Sequence, residues 1–583
     1  MKSSIESSTI VKTAPVKGTG LKGTGFSPYI QRSQTARALA PEGAPFRPLE
    51  ARGALLIENA FHPLNGRIEK SPSGAKAPAL CTGLMYGLKP VPFIGVKIFK
   101  ALLASGILAG FLAPTVLIAQ QDKPWEKIPV PKLHEFKPQE PKRIELKNGI
   151  VIFLEEDHEL PFVSGSVLIP GGSRDEPAAK AGMVGVYGQA WRTSGTAKMD
   201  GDALDDLLEA KAAHIETGGD DDSTALSWDS LKGDADQVFA LALDLLLHPK
   251  FSQEKLELAQ EQEATGIVRR NDDESGVAER EAMKLVYGAN SPYTRQPELA
   301  TIGAVTIADL KAWHDSTIGA KLIVSISGDF DSAAMEAKLR TAFEGLPPVK
   351  PTPARHDVFP GPTPGVYFIN KEDVNQSNVE IVGMGIDRHN SDVPAVAVMN
   401  QILGGGFASR LFQSVRTRLG LAYEVGGGIS FDYDHPGPFS AVVLTKSATT
   451  VDATKATLDQ IVGLNTTPFT EEELARAKDN LLTSFLFRYD TRDKVLAERV
   501  RLEFYGYPAD YLETYKAALE KVTVADLQAA AKKYIHPDKL AILVVGNGPE
   551  IKPGLDELKL GPVHPIDITI PMPPKTAAGE KQQ

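Results

Sequence analysis

The feature that most constrains this chain is that it is written twice. Val305-Thr-Ile-Ala-Asp-Leu310 returns as Val522-Thr-Val-Ala-Asp-Leu527. Lys321-Leu-Ile-Val-Ser-Ile-Ser-Gly328 returns as Lys539-Leu-Ala-Ile-Leu-Val-Val-Gly546. Phe251-Ser-Gln-Glu-Lys-Leu256 returns as Phe469-Thr-Glu-Glu-Glu-Leu474. The three displacements are 217 or 218 positions and the order is kept. Matches in one order at one offset mark a duplicated unit rather than chance. The Pro-rich segment 347–364 separates the copies, so the halves are read as 142–346 and 365–552.

Each half mixes two periodicities. Thr306 to Asp309 and Thr523 to Asp526 have the spacing of a capping box, with Asp in the usual Glu place, and each opens an amphipathic helix. A β-branched apolar run ending in glycine follows each one, as a strand should. Arg143-Ile-Glu-Leu and Ile150-Val-Ile-Phe-Leu flank Asn148-Gly149, a hairpin signal. The reading is an α/β (α+β) protein of two homologous sandwich halves, each with helices packed on one face of a mainly antiparallel sheet.

The flanks differ. Lys97 and Lys100 precede an apolar run from Ala101 to Ala119, and the chain turns polar at Gln120. A basic flank, an apolar stretch and a small residue before the switch describe a secretory signal. It is assigned to 85–119, with cleavage after Ala119; an uncleaved membrane anchor is the alternative. Export to the periplasm or medium is the expectation. Because a signal should open a chain, residues 1–84 read as a mis-assigned or disordered extension, with Met85 as the start. Residues 120–141 read as a Pro-rich linker and 553–583 as a Pro-rich tail. The single cysteine, Cys81, rules out a disulfide framework. A net charge of −11 argues against nucleic acid as a partner.

The chemistry-bearing stretch is Pro170-Gly-Gly-Ser-Arg-Asp-Glu-Pro177 and the helix behind it. It resembles the segment that opens the active site in the pitrilysin/insulinase family of zinc metallopeptidases, which includes proteins like the mitochondrial processing peptidase. In that family a GGSRDE-type turn leads into H-x-x-E-H and then Gly-Thr; here Gly195-Thr196 comes about one residue late. The histidine positions fall on Gly185 and Gln189, the general-base glutamate position on Gly188. The family's third ligand, a glutamate on a later helix, falls by the family's spacing on Gly266. Glycine has no side chain to offer and Gln is a poor zinc ligand. The resemblance therefore implies a degenerate zinc site and no cofactor in this chain. Glu261 and Glu263 read as a solvated helix face. Asp220-Asp221-Asp222 reads as a solvated acidic loop. Gly182, Gly185 and Gly188 recur at every third position and present a bare face for close packing.

Residues 403–425 resemble the family's second signature: a glycine turn (Gly404, Gly405, Gly406), Ser-Arg-Leu, then Arg416 and Tyr423 seven residues apart. By that resemblance Arg416 clamps a peptide carbonyl and Tyr423 donates to an oxyanion in the opposing site. Read by themselves they are a solvated helix residue and a strand-core aromatic. Ligands lost and Arg/Tyr kept is the pattern of the zinc-less subunit of bacterial heterodimeric members. The expectation is a non-catalytic, substrate-binding subunit of an exported peptidase, with zinc in a homologous partner and peptides as substrate. A structural or peptide-binding pseudopeptidase without a catalytic partner, and an active metallopeptidase with atypical ligands, are the alternatives.

Overall fold

The computed structural model describes residues 138–350 and 357–572. The 1–84 extension, the signal segment and most of the 120–141 linker lie outside the described residues. Among the described residues fourteen strands are formed: β1 (Lys142–Glu145), β2 (Val151–Glu156), β3 (Phe162–Pro170), β4 (His214–Gly219), β5 (Ser223–Leu231), β6 (Ile323–Gly328), β7 (Gly365–Asn370), β8 (Gln376–Met384), β9 (Ile386–Asp387), β10 (Glu424–Ile429), β11 (Phe431–Asp432), β12 (Pro438–Lys446), β13 (Ala541–Gly546) and β14 (Val563–Pro565). The first sheet runs β1-β2-β6-β3-β5-β4 and the second, taken from its far edge, β14-β7-β13-β8-β12-β10. The two orders superpose position by position. Only β2–β6, β7–β13 and β7–β14 are parallel within these sheets; the other pairings are antiparallel. The fold is thus the duplicated, mainly antiparallel α/β sandwich expected from the repeat.

The hairpin and both capping boxes form as read. Gly149 takes φ 88° in the β1–β2 turn, a conformation that costs glycine little. Thr306 and Asp309 cap each other reciprocally, as do Thr523 and Asp526.

The central strands carry a signal that one-sided packing does not explain. All six residues of Ala541-Ile-Leu-Val-Val-Gly546 are buried, whereas β5 and β12 alternate. A continuous buried run means that both sheet faces are covered. Each half covers one face with its own helices: Ile152, Leu154, Val324 and Ile326 pack with Val186, Ala190 and Trp191 in the first half, and Ile381, Ile542 and Val544 with Val396 and Met399 in the second.

The opposite faces are covered by exchange. The first crossing helix, Glu274–Tyr287, comes from the first half and lays Val277, Ala278, Ala282 and Val286 on Ile369, Val382, Ala541, Leu543 and Val545 of the second. The second crossing helix, Arg492–Tyr505, lays Leu496 and Val500 on Val151, Phe153 and Ile323 of the first. These helices are equivalent in the repeat: both have 14 residues, are capped by Asp273 or Thr491, and end at a glycine with positive φ, Gly288 or Gly506. A fully buried Val or Leu contributes roughly 1.5–3 kcal/mol, so the exchange is a large part of what holds the halves together.

The segment after residue 553 departs from the reading as a tail. Leu555 and Leu558 enter the second core, and β14 pairs with β7. Its apolar residues recur at short intervals, a strand signal that its prolines mask.

Candidate degenerate metal site and the Arg/Tyr face

The turn before the motif helix (Met183–Thr193) is built from its own side chains. Glu176 accepts the Gly182 amide at 2.7 Å and the Val184 amide at 2.9 Å, so it satisfies two free donors of the helix N-terminus. The helix then sinks one face into the first core. Tyr187 and Trp191 are fully buried; the Tyr187 hydroxyl meets His314 Nδ1 at 2.9 Å and Trp191 Nε1 donates to the Leu245 carbonyl at 2.9 Å. Burial pushes the His314 imidazole down to about 4, so it is neutral at pH 7 and tied to core packing.

The other face carries the vacant ligand positions. Gln189 donates its side-chain amide to Glu263 Oε1 at 2.7 Å. Glu263 also fills the space over Gly185, where a Cβ would lie 2.8 Å from Oε1. A Cβ on Gly188 would lie 2.9 Å from Gly218 Cα, so here the helix rests directly on the β4 backbone. All three glycines read as a bare face seat neighbours: a Cβ on Gly182, which also caps the helix at φ 94°, would lie 2.7 Å from Pro297 Cβ and 2.8 Å from Ile302 Cγ2.

The helix that supplies the carboxylate, Gln253–Arg269, presents a different residue from the one the family's spacing selects. Nothing lies within 4 Å of where a Gly266 Cβ would be. The carboxylate that faces Gly185 and Gln189 is Glu263, three residues earlier. It is half-buried rather than a solvated face residue, whereas Glu261 is exposed. Burial raises the Glu263 carboxyl above the ordinary range, with the Gln189 hydrogen bond opposing. The residues present do not suit zinc. Gly185 and Gly188 offer no donor, and the Gln189 amide oxygen is buried without a hydrogen-bond partner. That oxygen and Glu263 give two donors, short of the three protein ligands of a catalytic zinc. Among the described residues no group of three His, Cys, Asp or Glu side chains could hold a metal.

The acidic run is no solvated loop. Asp220 accepts the Asp222 and Ser223 amides at 2.8 and 2.6 Å, and burial raises its carboxyl to about 6. Asp222 pairs with Arg174 of the motif turn and accepts from the Tyr505 hydroxyl. Arg174, its side chain 3% exposed, also reaches Asp434 of the second half at 2.9 Å and lies 4.6 Å from the Tyr293 ring centre. Burial opposes ionisation of Asp434, but the His435 hydrogen bond and the Arg174 charge outweigh it and hold the carboxyl at about 2. The cation these aspartates attract is internal. The sequence did not show it because Arg174 lies far from them along the chain.

In the second half, the helix Val393–Leu403 ends at Gly404. A Cβ there would strike the Gly427 backbone at 2.3 Å, so glycine lets the turn close on β10. Gly405 packs on Gln401, and Gly406 takes φ 144°. A short π-helix, Phe412–Arg418, carries Arg416. The Arg416 guanidinium sits 4.7 Å from the Phe412 ring centre and 5.6 Å from that of Tyr423. Tyr423 is 75% exposed, so it is not a strand-core aromatic. The structure brings Gly185, Gly188 and Gln189 together with Glu263, and separately Arg416 with Tyr423. No hydrogen bond or ion pair among the described residues joins the two groups.

Two family models match this chain: "Insulinase (Peptidase family M16)" over residues 151–284 and "Peptidase M16 inactive domain" over 304–481. The chain belongs to the insulinase family, M16. Similar M16 relatives include a Helicobacter pylori protein named "Non-peptidase homolog YmxG", 24% identical over 68% of this chain and 92% of that protein. A Mycobacterium tuberculosis protein named as an uncharacterized zinc protease is 23% identical over 67% of this chain and 90% of its own length. Among solved structures, a Pseudomonas fluorescens "peptidase M16 inactive domain" matches at TM-score 0.62 and 25% identity, over 70% of this chain and 98% of that one.

Proposed function

We propose that this M16 chain is the non-catalytic, peptide-binding subunit of an exported two-subunit metallopeptidase, completed by a homologous subunit that carries H-x-x-E-H and its zinc. The observation that carries the reading is a contrast. The ligand face of the motif helix is closed by glycines and the Gln189–Glu263 bond, whereas Arg416 and Tyr423 stand on the surface, stacked and accessible. A side-chain cation and phenol held together but left open to solvent suit a role toward another molecule. Arg416 would hold a peptide carbonyl and Tyr423 would donate to the oxygen that gains charge. The name of the Helicobacter pylori relative supports the first part of this reading. Export rests on the 85–119 segment alone.

Reconstitution tests it. The chain is co-expressed with an M16 homologue bearing intact H-x-x-E-H, and the pair is assayed for co-purification, zinc content and cleavage of an unstructured peptide. The expected result is a stoichiometric complex whose turnover drops on Arg416→Ala or Tyr423→Phe, while the single chain holds no stoichiometric zinc. Chelator-sensitive cleavage by the single chain refutes the reading. A complex indifferent to both substitutions favours a structural pseudopeptidase.

A further inference from the structure

The two sheets are built alike except at one edge. In the first, the position outside β2 is filled by β1, which arrives through the Asn148-Gly149 hairpin and pairs antiparallel. In the second, the matching position outside β7 is filled from the other end of the chain. Val563, His564 and Pro565 pair in parallel with Val366, Tyr367 and Phe368, and the Ile566 amide donates to the Phe368 carbonyl at 2.9 Å. The segment then runs on beside the first crossing helix. Ile566 and Ile568 pack against the cluster that Val277, Val286 and Tyr287 form with β7, β8 and β13. Asn271, just ahead of that helix, donates its side-chain amide to the Ile568 carbonyl at 2.7 Å. The His564 ring lies 5.4 Å from that of Tyr367.

Every element of this contact is of the kind by which a sheet edge takes up a separate peptide. Main-chain bonds supply affinity, alternate side chains enter an apolar surface, and a polar side chain reads the backbone further along. The ladder is only three residues long. It is tethered through residues 559–562, which are exposed and contain positive φ at Lys559 and Gly561. Short, edge-bound and little-buried elements open at low free-energy cost.

We infer that the outer edge of β7, with the adjoining face of the first crossing helix, is an acceptor for extended peptides carrying aliphatic residues at alternate positions, and that residues 563–568 occupy it in cis. This site is separate from Arg416 and Tyr423 and does not rest on the paired-subunit reading. The tethered segment acts as a built-in competitor at high effective concentration. A free peptide enters as the segment leaves.

The test uses the full chain and a fluorescein-labelled peptide with the sequence of residues 562–572. Ile566→Asp combined with Ile568→Asp in the full chain should release the segment. The labelled peptide should then bind at least about tenfold tighter to this variant than to the unmodified chain, by anisotropy. A labelled peptide carrying the same two Asp substitutions should not bind. Amide exchange in the variant should quicken in residues 365–370 and 274–287. Equal binding to variant and parent, or equal binding by the Asp-bearing peptide, overturns the inference. So does unchanged protection of both segments. Should the double variant misfold, Asn271→Ala removes one anchor without touching the segment; peptide affinity must still exceed that of the parent, and failure to do so counts against the site.

Discussion

Gln189 and Glu263 are joined by a 2.7 Å hydrogen bond that crosses from the motif helix to the helix behind it, at the place where two metal ligands would face each other. Glu263 is what keeps the Gln189 amide satisfied. Glu263→Ala leaves that amide NH2 without its acceptor, and should cost about 1–3 kcal/mol in urea denaturation. Glu263→Gln keeps an acceptor and removes a carboxyl that burial disfavours in its charged form, so it should be neutral or stabilising at pH 7. Equal losses in the two variants would contradict a specific bond.

Gly188 and Gly266 should respond to alanine in opposite directions. Both gain roughly 1 kcal/mol in helix propensity. At Gly266 the new methyl meets open space, so Gly266→Ala should stabilise by up to that amount. At Gly188 it meets the backbone of Gly218, which cannot yield as a side chain would. The helix must lift off β4, and the overpacking cost of about 1–3 kcal/mol should outweigh the gain. Denaturation midpoints of the two variants give the answer directly, and a stable Gly188→Ala would mean that the helix is not seated on β4.

Arg174 is the ion that ties Asp222 of one half to Asp434 of the other. Arg174→Ala strands carboxylates in a buried setting and should destabilise by about 3–5 kcal/mol. The loss should shrink when Asp434→Asn is added, because the uncompensated charge is then gone. A double-mutant cycle with no coupling would show that the two residues act independently.

Glu380 lies on β8 under the first crossing helix, 6% exposed, near Glu279 and bonded to Ser440 Oγ at 3.1 Å. Burial raises its carboxyl from 4.5 to about 8, with the Ser440 bond opposing. A folded-state value above the unfolded one means that the folded protein binds the proton more tightly. Its contribution is therefore complete below about pH 4.5 and is lost as pH rises toward 8. Relative to Glu380→Gln, the parent should lose on the order of a few kcal/mol between pH 5 and pH 9. Urea midpoints across that range should diverge; parallel curves would place the carboxyl in a more polar setting than the structure shows.

Much of the architecture was legible because it depends on local or repeated pattern. The duplication followed from three short matches, the β1–β2 turn from Asn148-Gly149, and two helix starts from Thr-x-x-Asp. What escaped was what distant residues decide. The face a helix covers is not encoded in its own period, so the exchange of Glu274–Tyr287 against Arg492–Tyr505 was invisible, although buried runs such as 541–546 hinted at a second cover. Asp220–Asp222 looked solvated because Arg174 lies on another element. Counting along the chain selected Gly266, but the helical twist brings Glu263 to the motif helix. At Arg416 and Tyr423 the sequence named the pair, and the structure adds that they stack and face outward.

The exchange of crossing helices bears on how this protein is born. On the ribosome the first half can form its hairpins and its inner layer early. The outer surface of β2 and β6 stays bare until residues 492–505 have emerged. Until then Val151, Phe153 and Ile323 are exposed to any apolar neighbour, and the helix 274–287 has no sheet to lie on. The halves are therefore not two beads that fold in turn. Without residues 492–505 the apolar surface of Val151, Phe153 and Ile323 has no cover, and uncovered apolar sheet surface of this kind favours aggregation.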